Sequence, residues 1–134
     1  MKSAKLLLTL FVTLAIAACG KSGPDKKQNG TLMGKCSTVV LENDHLRVCY
    51  DSLINESRCM AGGLCLWQGI ATGKFSFYIN DGVKHTLTLA TMDIDKFSRD
   101  TVIGNYKVEL LDIQPYPGVN NPPPASAEVK ITRL

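Results

Sequence analysis

Few side chains in this chain can do chemistry, and their spacing is unhelpful to it. There are two histidines. His45 ends a run of turn formers, Glu42, Asn43 and Asp44, and His85 shares an apolar parity with Val83, Leu87 and Leu89. A general base needs a reacting group or an orienting partner within hydrogen-bond reach. The sequence holds no Gly-x-Ser-x-Gly elbow and no His-Glu-x-x-His pair to supply one. Asp93, Asp95 and Asp100 share one loop and offer oxygen ligands, but at a spacing that matches no Ca²⁺ loop. Met33, Met60 and Met92 are soft donors scattered along the chain. The expectation is no catalytic residue, no resident metal and no cofactor: not an enzyme.

Cysteine is the residue type with a pattern. The 134-residue chain has five. Cys19 stands apart, which leaves an even set: Cys36, Cys49, Cys59 and Cys65. Four cysteines allow three pairings. We expect Cys59–Cys65 and Cys36–Cys49. The first closes a small ring over Met60, Ala61, Gly62, Gly63 and Leu64, whose glycines permit a tight bend. A ring that short contributes about 2–3 kcal/mol in the chain-entropy model. The second would cross a hairpin, on the side opposite its apolar face. A four-thiolate zinc site needs intervals of two to four residues, and neither interval here fits.

The start of the chain explains why Cys19 stands apart. Lys2 and Lys5 precede an apolar run from Leu6 to Ile16, too short to span a bilayer and right for an export signal. Ile16, Ala17, Ala18 and Cys19 follow. This segment resembles the lipobox of bacterial lipoproteins. The resemblance implies that residues 1–18 are a signal peptide and that Cys19, carrying diacylglycerol and an amide-linked palmitate-type acyl chain, begins the mature protein. Each buried methylene contributes about 0.8 kcal/mol, so two or three chains hold firmly. Gly20 stands where an aspartate would resemble an inner-membrane retention signal. The expected place is therefore the outer membrane, facing the periplasm, where disulfides persist.

These segments must be positioned by strands. The net charge of +3 includes Lys2 and Lys5, so the mature chain is near neutral. No basic stripe marks a nucleic-acid partner. Residues 19–35, rich in glycine and lysine, read as a flexible lipidated tether. Residues 36–134 read as one β domain. Cys36 to Leu41 and Leu46 to Tyr50 read as a hairpin. Asp51 to Ser57 reads as a polar connection. From Cys65 to Ile79 one parity carries Cys65, Trp67, Gly69, Ala71, Gly73, Phe75, Phe77 and Ile79, predicting one long strand with Trp67 inside against the disulfide. Asn80, Asp81 and Gly82 predict a tight hairpin. Val83 to Leu89 returns, and residues 91–101 read as a polar connection. Tyr106 to Ile113 alternates, with its parity changing at Leu110–Leu111, which predicts a bulge. Pro122 to Pro124 make a stiff loop. Ala127, Val129 and Ile131 close the chain. The fold expected is all-β, with six or seven strands in an antiparallel, Ig-like sandwich or a small open barrel.

One further resemblance rests on Glu56, Ser57, Arg58, Cys59 and Met60, then Cys65, Leu66, Trp67, Gln68 and Gly69. A group of small bacterial lipoproteins is similar here, with Asp-Ser-Arg-Cys-Pro, four residues, then Cys-x-Trp-x-Gly. Glu56 and Met60 depart from that pattern. The resemblance implies an extracytoplasmic β-rich domain and no particular activity. A disulfide-closed loop is shaped before it binds, so binding costs it less entropy. The expectation is a monomeric, membrane-anchored binding module for a protein or cell-envelope component, with Met60–Leu64 as its contact loop. The alternatives are a structural envelope protein without a ligand, or a protease-inhibitor-like use of the Cys59–Cys65 loop.

Overall fold

The computed structural model describes residues 29–134. The expected signal peptide, the Cys19 attachment point and the first part of the expected tether lie outside them. Eight strands follow one another: β1 (Asn29–Gly34), β2 (Cys36–Leu41), β3 (Asp44–Glu56), β4 (Ala71–Ile79), β5 (His85–Ala90), β6 (Asp100–Ile103), β7 (Tyr106–Gln114) and β8 (Ser126–Arg133). They form two antiparallel sheets, β1-β8-β7-β6 and β2-β3-β4-β5. The fold is an all-β sandwich, not closed into a barrel.

Alternation explains which face each strand buries. Leu46, Val48 and Tyr50 of β3, Phe75 and Phe77 of β4, and Leu87 and Leu89 of β5 point inward from one sheet. Val108 and Leu110 of β7 and Ala127, Val129 and Ile131 of β8 meet them from the other. The parity change on β7 is a register shift between Leu110 and Asp112, which brings Ile113 back into the core. Asn80 and Asp81 both have positive φ, near 52° and 53°, as the tight β4–β5 turn requires.

Two strands were not expected. Residues 29–34 are β1, not tether: they pair with β8 along their whole length, and Leu32 is buried in the core. Gly30 lies against Val39 of β2, where a Cβ would come within 2.6 Å of a valine methyl. Only a residue without a side chain lets the two sheet edges close there. Residues 100–103 form β6, so the polar connection ends earlier than expected. Likewise residues 51–56 continue β3 and are not a connection.

The two sheets are clamped at both ends. At the end near the β2–β3 turn, the Tyr106 hydroxyl donates to Asp44 Oδ2, and Arg133 pairs with Glu42. Burial first, then the Asp44 hydrogen bond, pushes the Tyr106 phenol up to about 12, so it stays a donor. At the other end the clamp is Arg58. Cys36 and Cys49 face each other in register and are joined as expected.

Truncating a fully buried aromatic leaves a cavity as well as losing transfer energy. Phe77→Ala is expected to cost about 3–5 kcal/mol in urea unfolding. Thr88→Ala, on the exposed face of β5, should stay within about 0.5 kcal/mol of wild type.

Candidate functional site

The site is built on Arg58, which is only 8% exposed despite its charge. Its Nε and Nη2 donate to Glu56 Oε1 and Oε2 at 2.8 and 2.6 Å, a two-point grip on one carboxylate. Nη1 donates to the Ile113 carbonyl at 2.6 Å and to Asp112 Oδ1 at 3.2 Å. Nη2 also reaches the Pro115 carbonyl at 3.3 Å, and the guanidinium lies 4.0 Å from the Tyr116 ring centroid. Glu56 ends β3 and Asp112–Ile113 belong to β7, so one side chain ties the two sheets. Burial pulls the Glu56 carboxyl upward, but the hydrogen bonds and charge of Arg58 outweigh it and hold it below its ordinary 4.5.

The loop from Ser57 to Ile70 rises from this base. Its two roots are sewn together. The Ser57 N–H donates to the Ile70 carbonyl at 2.8 Å, and the Ile70 N–H to Ser57 Oγ at 3.1 Å. The Cys59 N–H then donates to the Gln68 carbonyl at 3.0 Å. Gly69 has φ +68°, and a Cβ there would overlap the Ser57 carbonyl oxygen. The residues of the lipoprotein-like motif therefore have a local explanation: Ser57 closes the neck, Arg58 anchors it, and Gly69 lets the two strands of the neck touch. Above the neck the Cys59–Cys65 disulfide closes the ring as expected. The Ala61 N–H donates to the Pro117 carbonyl at 2.9 Å and braces one side of the ring.

The tip is apolar and open. Met60, Leu64, Leu66 and Trp67 are all exposed, Trp67 to 63%. This overturns the expected inward position of Cys65 and Trp67. The strand begins only at Ala71, because the left-handed turn at Gly69 interrupts the extended chain on which parity counting depends. No residue from Cys59 to Gly69 is charged. Of the expected contact loop, Met60 and Leu64 are exposed as large apolar groups, while Ala61, Gly62 and Gly63 form the bend. Leu66 and Trp67 belong with them and were missed. Only their position next to the second cysteine hinted at it.

Beside the neck runs a groove of about 360 Å³. One wall is Tyr50 to Leu53 and Glu56 of β3, the other is Ile113 to Pro117, and Lys35 and Ala125 also line it.

The other residues singled out in the sequence are not gathered here. His45 is exposed beside the β2–β3 turn, and His85 begins β5. Asp93 Oδ1 accepts from the Arg99 N–H and the Ser98 hydroxyl, which braces its own loop. Asp100 pairs with Lys107. Among the described residues no group of three His, Cys, Asp or Glu could hold a metal ion. Among the described residues no helix is long and apolar enough to cross a membrane. No family model, curated protein or solved structure matches the chain.

Removing the guanidinium leaves two partly buried carboxylates without their cation and two carbonyls without its hydrogen bonds. Arg58→Ala is expected to cost about 2–4 kcal/mol. Arg58→Lys should recover little of it, since an ammonium cannot grip Glu56 at two points. The folded carboxyl of Glu56 lies below its unfolded value. Its contribution is therefore fully present above about pH 4.5 and drains away as pH falls through the folded value. Between about pH 5 and pH 3 wild type should lose stability more steeply than Glu56→Gln, measured by urea unfolding at each pH.

Proposed function

We propose that this protein is a lipid-anchored envelope protein that binds a protein partner through the apolar tip of its Ser57–Ile70 loop and catalyses nothing. The observation that carries the reading is the contrast within that loop. Its neck is fixed by two backbone hydrogen bonds, a third to the Ser57 hydroxyl, a disulfide and the Arg58 network. Its tip presents Met60, Leu64, Leu66 and Trp67 to solvent. Exposed apolar groups on a rigid support are costly to keep unless something covers them. A fixed loop also gives up little conformational entropy when it docks.

The uncharged tip favours an apolar cleft on a protein over a lipid surface. Loops and helices that settle on anionic bilayers carry Lys or Arg beside their apolar groups. The tip has none.

The anchor supplies the address. Acylation at Cys19 holds the body at the outer membrane on the periplasmic side, and the cysteines pair there. Palmitate labelling should mark wild type and leave Cys19→Ala unlabelled; equal labelling of the two would end the lipoprotein reading. For the loop, replacing both Leu66 and Trp67 with serine should leave the unfolding free energy from urea titration within about 0.5 kcal/mol of wild type. The same change should abolish the adduct that wild type forms on crosslinking in the native envelope. An adduct of unchanged yield would show that the tip is not the contact.

A further inference from the structure

The two edges of β3 are covered unequally. β4 pairs with it from Leu46 to Glu56, with register shifts that leave Asp51 and Ile54 as bulge residues. On the other edge β2 reaches only as far as Cys49, and the Tyr50 N–H donates once more, to the Lys35 carbonyl. Beyond that point the chain turns away into β1. Asp51, Ser52, Leu53, Ile54 and Asn55 are five consecutive exposed residues, although they lie in a strand. In a sandwich, alternate residues of a covered strand are buried. Leu53 and Ile54 remain 45% and 50% exposed. The opposite sheet does not cover this stretch, and the groove described above fills the gap between it and Ile113–Pro117.

We propose that the open half of β3, Asp51–Asn55, is a strand-addition site for an extended segment of a partner protein, whose alternate side chains enter the adjoining groove. This deepens the function proposed above and rests on it for the partner being a protein. An unpaired strand edge offers a row of N–H and C=O groups to any extended chain. The added strand gains affinity from main-chain hydrogen bonds and selectivity from pockets for every second side chain. Here the pocket is the groove, with Tyr50, Leu53 and Tyr116 as its apolar walls. The Cys36–Cys49 disulfide fixes the last rung below the opening.

Charge identifies the occupant more closely. Asp51 accepts the Ser76 hydroxyl at 2.6 Å but has no ion pair among the described residues. The Glu56 carboxylate is already gripped by Arg58. An incoming strand with Lys or Arg beside the Asp51 bulge gains an ion pair across the new edge. A second copy joined through the same edge pairs residues 51–55 with themselves, and these contain no cation; its nearest one is Lys35, at the rim of the groove. The occupant proposed is an extended, proline-free segment of another protein, apolar at alternate positions and basic at one end, in keeping with the protein partner proposed above.

The test uses the full chain in detergent, probed with a random seven-residue peptide library displayed on phage. Enriched sequences should alternate Val, Ile, Thr or aromatic residues with a Lys or Arg near one end. A synthetic copy of the top sequence should slow hydrogen exchange at the amides of residues 51–55 by at least tenfold. With Asp51→Lys the terminal preference should invert to Asp or Glu, while exchange in β4 and β7 stays as in wild type and so reports an intact fold. The proposal is overturned if the library yields no binder, or if binders leave residues 51–55 unprotected. It is also overturned if the chain buries this edge by dimerising with itself. The variant with serine at Leu66 and Trp67 separates the two readings. Peptides that protect β3 equally well in that variant support strand addition alone, and binders that depend on the tip but leave β3 exposed support only the loop.

Discussion

Arg58 is the point on which the upper end of the molecule depends. A guanidinium cannot shed its charge, so burying it demands that every donor find an acceptor. Glu56, Asp112, the Ile113 and Pro115 carbonyls and the face of Tyr116 meet that demand. They come from both sheets. The residue that starts the loop is thereby the residue that fixes the distance between β3 and β7, and the groove between them owes its width to the same contacts.

The opposite end is held differently. There Tyr106 and Asp44 make a single neutral-to-charged hydrogen bond across the sheets, Arg133 and Glu42 pair near the surface, and Gly30 lets β1 and β2 close edge to edge. Between the two ends, Tyr50, Phe75 and Phe77 of one sheet pack among aliphatic side chains from both. The sandwich is thus sealed and polar-clamped where the chain enters, and open where the loop stands. The charge-free apolar loop and the half-covered end of β3 lie together at that open end.

Much of this was legible from residue order. Alternation placed Phe75, Phe77, Val129 and Ile131 inside, because a strand offers its two faces in strict turn. The parity change at Leu110–Leu111 predicted the bulge for the same reason. The cysteine pairing followed from ring size and hairpin symmetry. What failed was anything that broke periodicity. Gly69 leaves the extended region, so counting through it put Trp67 inside when it stands outside. β1 was hidden in a glycine-rich segment whose only buried apolar side chain is Leu32. Asp51 to Glu56 was misread as a connection because Asp51, Ser52, Asn55 and Glu56 surround an adjacent Leu53–Ile54 pair and break the alternation of a covered strand.

By itself, then, the order of residues determined the class of fold, the faces of its strands and the partners of its cysteines. Each of these follows from contacts near in sequence or from a repeat of two. The role of Arg58, the outward aim of Leu66 and Trp67, and the uncovered edge of β3 were decided only in three dimensions. The first depends on acceptors more than fifty residues away, the second on the neck that Gly69 closes, and the third on where β2 and the opposite sheet stop. Asp112 and Ile113 supply acceptors to Arg58, and β2 ends one strand-half short. No local pattern encodes such distances, since they are settled by how two sheets twist and close around a shared core.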